Sequence, residues 1–276
     1  MKNGKPSWTA RWVATQRAGL HERRPARGDA DAERRLYRDL SIPFLRWKLA
    51  DPAGMATRTR FIDERVLNAI DRGVAQIVLL GAGYDGGALR FRDAPVKWIE
   101  VDHPATQADK IHRLVRVGAP MDHMTFVPID LLSGDVFSEL DNAGHNSAES
   151  TMWICEGLFP YLPRPTTEQL CSVLRRRSAP GSTLVCNVLV RGDARAGGRL
   201  VRSGVDRVLA AMGERRLAEF APGDAQAFLR DSGWSIDVED STSPSRSDHT
   251  YMVAISASPS DFPRGDSHAG DGSDGG

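Results

Sequence analysis

Apolar residues gather into seven short runs along the chain, at 76–80, 96–101, 124–128, 151–155, 183–189, 235–238 and 250–256. Each has the length of a β-strand and is bounded by turn-forming or charged residues. Segments long enough for crossover helices separate the first five, which predicts a parallel sheet covered on both faces. The last two runs are separated by "DSTSPSRSDH" and little else, too short for a helical crossover, so antiparallel pairing is expected there. The run at 235–238 is the weakest of the seven. Ahead of the first strand, "TARWVATQRAGL" and "MATRTRFIDERVLNAIDRG" repeat small and apolar residues at three-to-four spacing, the second ending at Gly73. Residues 1–72 are therefore expected to form a helical cap, 73–257 the sheet-bearing domain, and 258–276, "SPSDFPRGDSHAGDGSDGG", a disordered tail without apolar content.

Composition narrows the function class. Hydrophobic residues make up 41% of the 276 positions, enough for a real core. Lys+Arg and Asp+Glu balance at 36 each, so no global field recruits nucleic acid or an anionic membrane. The first residues, "MKNGKPSWTARWVATQRAGL", are too interrupted by charge for a signal peptide. No apolar stretch approaches the ~18 residues of a membrane span. Cys155, Cys171 and Cys186, odd in number and far apart, read as reduced buried thiols of a cytoplasmic protein.

Ligands of an open parallel sheet bind beyond the carboxyl ends of its strands, so those ends carry the candidate chemistry. The first strand runs into Gly81-Ala82-Gly83-Tyr84-Asp85-Gly86, a literal G-x-G-x-x-G that taken alone suggests a nicotinamide or flavin dinucleotide. A tight strand-to-helix turn without a ligand is the plainer alternative. The second ends in Glu100 and Asp102, which share one side of an extended chain and supply the carboxylate a ribose diol needs. "FVPIDLL" follows the third, where Asp130 could take an adenine amine with Leu131 beside the ring, or simply cap a helix. Glu156 emerges from the fourth. A buried carboxylate there requires a cation, either a ligand ammonium or one of the many arginines.

The series "RTRFID", "QIVLLGAGYD…LRF", "EVDHP…K", "VPIDL" and "EGLFPYL" resembles the leucine carboxyl methyltransferase family, including its bacterial S-adenosylmethionine-dependent O-methyltransferases of tetracenomycin type. The resemblance spans roughly residues 8–190. It implies an α/β, Rossmann-like class I methyltransferase fold: a seven-stranded, mostly parallel sheet with an antiparallel last strand and an N-terminal helical cap. It implies S-adenosylmethionine as cofactor. Arg58 would hold the methionine carboxylate, with Arg60 a competitor two residues on. Gly81, Ala82 and Gly83 would form the loop, Asp102 would take the ribose, Asp130 and Leu131 would flank the adenine, and Glu156 would face the methionine amine. The family usually has Thr-Arg where this chain has Gly86-Gly87. That replacement removes a cation and puts two helix-weakening residues at a helix start, so restoring Thr-Arg is expected to stabilise the fold slightly.

Methyl transfer from a sulfonium relies on alignment more than on side-chain chemistry. A carboxylate acceptor needs no base, whereas a phenol would profit from one. Of seven histidines only His103 lies near the expected site, and Pro104 marks it as a helix cap. A small-molecule or natural-product acceptor bearing a carboxylate is the favoured reading, with hydroxyl methylation second. Tyr161 is the acceptor-side candidate, though core packing is the plainer reading of it. A nicotinamide-dependent oxidoreductase and a non-catalytic cofactor-binding protein are the competing classes.

Overall fold

Alternation along the strands decides what each helix covers. The computed structural model describes residues 4–17, 27–40, 52–190, 207, 216–241 and 251–259. In β1 (Gln76–Leu80), Ile77 and Leu79 enter one apolar cluster while Val78 and Leu80 enter another on the opposite side. Neighbouring strands β2 (Lys97–Asp102) and β4 (Thr151–Cys155) alternate in the same way, Trp98 against Ile99 and Ile154 against Trp153. The first cluster is filled by α2 (Ala30–Leu40), α3 (Pro52–Asp71) and α5 (Pro104–Arg116). The second is filled by α6 (Val136–Asn142), α7 (Arg164–Arg176) and α8 (Asp224–Asp231).

With β3 (Met124–Pro128), β5 (Thr183–Val190), β6 (Trp234–Ser241) and β7 (Tyr251–Pro259), the sheet has seven strands in the order β3-β2-β1-β4-β5-β7-β6. β7 alone runs against its neighbours β5 and β6. The mixed sheet expected from the apolar runs is the one observed. The weak run at 235–238 lies within an eight-residue strand, and residues 258–259, expected in the tail, complete β7. The remaining tail, 260–276, lies outside the described residues. Gly73, expected to stop α3, does so in a left-handed conformation. Among the described residues no helix is long and apolar enough to cross a membrane.

The chain leaves β1 toward β2 and β3, then returns to lay β4 on β1's other side. Loops after β1 and β4 therefore diverge, and the crevice between them is where such a sheet accepts ligands. Helix α1 (Trp8–Arg17) comes close to this crevice: a Cβ on Gly83 would lie 3.0 Å from the Ala10 Cβ.

One expectation is reversed here. A Cβ on Gly86 would lie 2.3 Å from Glu33 Cγ, and one on Gly87 would lie 2.8 Å from Asp85 Oδ1. Glu33, on α2, is fully buried 3.2 Å from Arg90, and Arg90 also reaches Asp63 of α3 at 2.8 Å. The Tyr37 hydroxyl accepts the Gly86 N–H at 3.2 Å. Helix α4 (Gly87–Arg90) has only four residues, too few for helix propensity to outweigh this packing. Gly86 is thus the seat of α2, while the space beside Gly87 belongs to Asp85 and Trp98. Gly86→Thr should destabilise the fold by roughly 1–3 kcal/mol, as overpacking does; an unchanged or raised urea midpoint would contradict this packing argument.

Candidate active site at the ends of β1, β2 and β4

The turn after β1 closes onto β2. Gly81 and Ala82 donate their N–H groups to the Val101 carbonyl, at 2.8 and 3.1 Å. Gly81 and Gly83 hold φ of 69° and 53°, which side chains with a Cβ rarely adopt. Asp102 completes the closure: one carboxylate oxygen accepts the Gly83 N–H and the other the His103 N–H at 2.6 Å. Burial raises the Asp102 pKa, and these two N–H groups only partly oppose it. His103 caps α5, its ring accepting the Ala105 N–H at 3.3 Å, as Pro104 leads one to expect.

Glu100 and Asp102 part company in the structure. Glu100 lies fully buried beneath the turn, paired with Lys110 of α5. Burial outweighs the lysine and pushes its pKa up to about 7. Only Asp102, of the two, stands at the strand end next to the glycine turn.

After β4, Glu156 meets arginines from two helices. Arg17, the last residue of α1, joins it to Asp85 of the glycine turn, and Arg58 of α3 places Nε 2.8 Å from Glu156 Oε1. Burial works against ionisation of Glu156, but Arg17 and Arg58 outweigh it and hold the carboxyl below its usual range. Arg60 is exposed, whereas Arg58 is buried against Glu156. The backbone just beyond is fixed by Asn187 of β5, whose side-chain oxygen accepts the Gly157 N–H at 2.6 Å.

Among the described residues, three buried polar atoms of this cluster make no hydrogen bond, Arg17 Nε, Arg58 Nε and Glu156 Oε1, although the last two face each other as the ion pair at 2.8 Å. Of the three, only Arg17 Nε has neither a hydrogen bond nor an ion-pair contact among the described residues. A group carrying both an ammonium and a carboxylate would satisfy them together.

The other candidates are placed as follows. Asp130 accepts the Leu132 N–H at 3.0 Å and opens a turn, whereas the N-cap of α6 is Asp135. A link from Ile129 N to the Asp102 carbonyl, 2.9 Å, ties this loop to the end of β2. Leu131 and Tyr161 are half-buried, Tyr161 at the end of the 3-10 turn Phe159–Tyr161. Arg17 and Asn187 were not singled out by sequence. Arg17 is one of many arginines before residue 72, and nothing in its spacing marks it. Asn187 is a polar residue within an apolar strand, a signal that was available.

Residues 30–175 match the family described as leucine carboxyl methyltransferase. The chain belongs to that family. It is 40% identical over 140 residues to a Mycobacterium sp. (strain JLS) protein called "Putative S-adenosyl-L-methionine-dependent methyltransferase", covering 50% of this chain and 45% of that protein. A Mycolicibacterium paratuberculosis (strain ATCC BAA-968 / K-10) protein of the same name is 33% identical over 213 residues, 71% of this chain and 67% of that one. The chain spans about half the length of several of the mycobacterial relatives it matches. Among solved structures, a methyltransferase-like protein from Thermobifida fusca YX superimposes with a TM-score of 0.59 at 16% identity, over 94% of this chain and 97% of that one. Magnesium protoporphyrin IX methyltransferase from Synechocystis PCC 6803, solved with bound SAH, gives 0.52 at 16% identity, over 82% and 92%. The fold is that of class I methyltransferases.

The two buried glutamates should respond to pH with opposite sign. Glu100 titrates higher folded than unfolded, so its ionisation removes stability as pH rises from about 5 to about 8. Glu156 titrates lower folded than unfolded, so its contribution is present above about pH 5 and is lost as pH falls through its folded value. Relative to wild type, Glu100→Gln should gain stability across the first window, while Glu156→Gln should lose it as pH climbs out of the acid range. Urea midpoints over pH check both, and curves parallel to wild type would contradict the assignment.

Proposed function

We propose that this chain is an S-adenosylmethionine-dependent O-methyltransferase whose acceptor is a small carboxylic acid, giving a methyl ester. The observation that carries the reading is the buried cluster of one acid and two guanidinium groups, Glu156, Arg17 and Arg58, incompletely hydrogen-bonded and beside the turn held by Asp102. A methionine moiety fits them, with its ammonium on Glu156 and its carboxylate on the arginines. The ribose diol falls to Asp102, the adenine to Asp130 and Leu131, and the backbone of Gly81, Ala82 and Gly83 lets the nucleoside approach. Family membership supports this cofactor, as does the name carried by the mycobacterial relatives.

Bound cofactor supplies an electrophilic methyl group. The chain's own residues align, neutralise and exclude water. Alignment of two reactants can be worth ~7–11 kcal/mol. A carboxylate acceptor, with a reference pKa near ~4, arrives ionised and asks no proton transfer of the protein. That agrees with His103, whose ring is engaged in capping α5. Tyr161 is the side chain assigned to the acceptor side. A dinucleotide reading fits less well, because the literal glycine pattern depends on Gly86, and Gly86 is occupied by Glu33 and Tyr37.

Calorimetry with S-adenosylhomocysteine and with NAD, followed by labelled methyl transfer to a panel of small acids and phenols, tests the proposal. Binding of the first alone and label in an alkali-labile ester are expected; NAD binding, or label confined to phenols, would overturn it. Asp102→Ala should weaken S-adenosylhomocysteine binding more than tenfold in a folded protein. Unchanged affinity would remove Asp102 from the site.

A further inference from the structure

Lys110 is a lysine with almost no contact with water, its side chain 1% exposed. Its Nζ donates to the Glu100 carboxylate and, at 2.7 Å, to the backbone carbonyl of Asp85 in the glycine turn. One turn earlier on the same face of α5, the Gln107 amide donates to the Glu100 carbonyl at 2.9 Å. Asp85 is thereby held from beneath. From above, its carboxylate accepts the Gly87 N–H at 2.6 Å and pairs with Arg17. Arg17 continues to Glu156, and Glu156 to Arg58. Six charges alternate in sign from the interior of β2 to the end of β4: Glu100, Lys110, Asp85, Arg17, Glu156, Arg58.

In surroundings this dry, a buried charge depends on the partners it touches, and removing one leaves its partner uncompensated. The ammonium of Lys110 touches the turn through a carbonyl, so it fixes Asp85's backbone and with it the direction of Asp85's carboxylate. That carboxylate in turn sets where the Arg17 guanidinium stands. We propose that Lys110 is a positioning residue for the amino-acid end of the cofactor: it touches no ligand group and acts through Asp85 to present Arg17 at Glu156. The inference rests on the reading of the site given under Proposed function.

A double-mutant cycle on S-adenosylhomocysteine affinity, measured by calorimetry per folded molecule, tests it with wild type, Lys110→Met, Arg17→Met and the double variant. Lys110→Met is expected to weaken binding at least tenfold. If Lys110 acts through Arg17, the double variant will bind no more weakly than Arg17→Met alone. A merely structural lysine would lower the melting temperature and leave affinity level, or its loss would multiply with that of Arg17→Met. Either result overturns the inference. Should Lys110→Met not fold, Lys110→Gln, which removes the charge but keeps a polar end, goes through the same cycle with the same criteria. Absence of binding by the wild type would instead overturn the cofactor reading itself, so the two failures are distinguishable.

Discussion

Closure of the β1 turn onto the end of β2 is the constraint on which the rest of the site depends. Two residues must adopt left-handed backbone for the turn to fold back, and glycine occupies both positions, 81 and 83. Val101 and Asp102 then receive three successive N–H groups of the turn. Because that network uses backbone donors, it fixes the turn without placing bulk over it. Ala10 of α1 can approach Gly83 closely, and with α1 seated, its last residue reaches across to Glu156.

The charges are arranged around that turn as a consequence. Asp85 follows the two glycines and is gripped from both sides, by Lys110 through its carbonyl and by Arg17 and the Gly87 amide through its carboxylate. A buried ion pair is weak support for stability, since desolvation cancels much of the attraction. Its value here lies in geometry. Alternating charges leave the crevice near neutral while keeping an acid and two guanidinium groups at fixed places, which suits a ligand end that is itself zwitterionic.

Much of the sheet was legible in the sequence, because apolar runs bounded by turns are a direct record of strands buried on both faces. Even the reversed last strand followed from a gap too short for a crossover. The acids at the strand ends were legible in position but not in partnership. Residues 100 and 102 share a side of the strand, and only the fold brings Lys110, ten residues later, to Glu100 and leaves Asp102 at the turn. Gly86 and Gly87 were misread for a similar reason. Local propensity makes two glycines look like a weakness, whereas Glu33, more than fifty residues earlier, fills the space at Gly86, and Asp85 and Trp98 fill that at Gly87. Arg17 had no local signature at all, since its role arises where α1 meets loops that follow two different strands.

The central claim is that one nucleoside-bearing amino acid binds across the ends of β1, β2 and β4. A crystal structure of the protein with S-adenosylhomocysteine tests it most directly. Ribose hydroxyls are expected within hydrogen-bonding distance of Asp102, and an ammonium within hydrogen-bonding distance of Glu156 with its carboxylate on Arg17 or Arg58. A nucleoside bound elsewhere, or a methionine end pointing away from Glu156 while the Arg17–Glu156 pair stays closed, would contradict it.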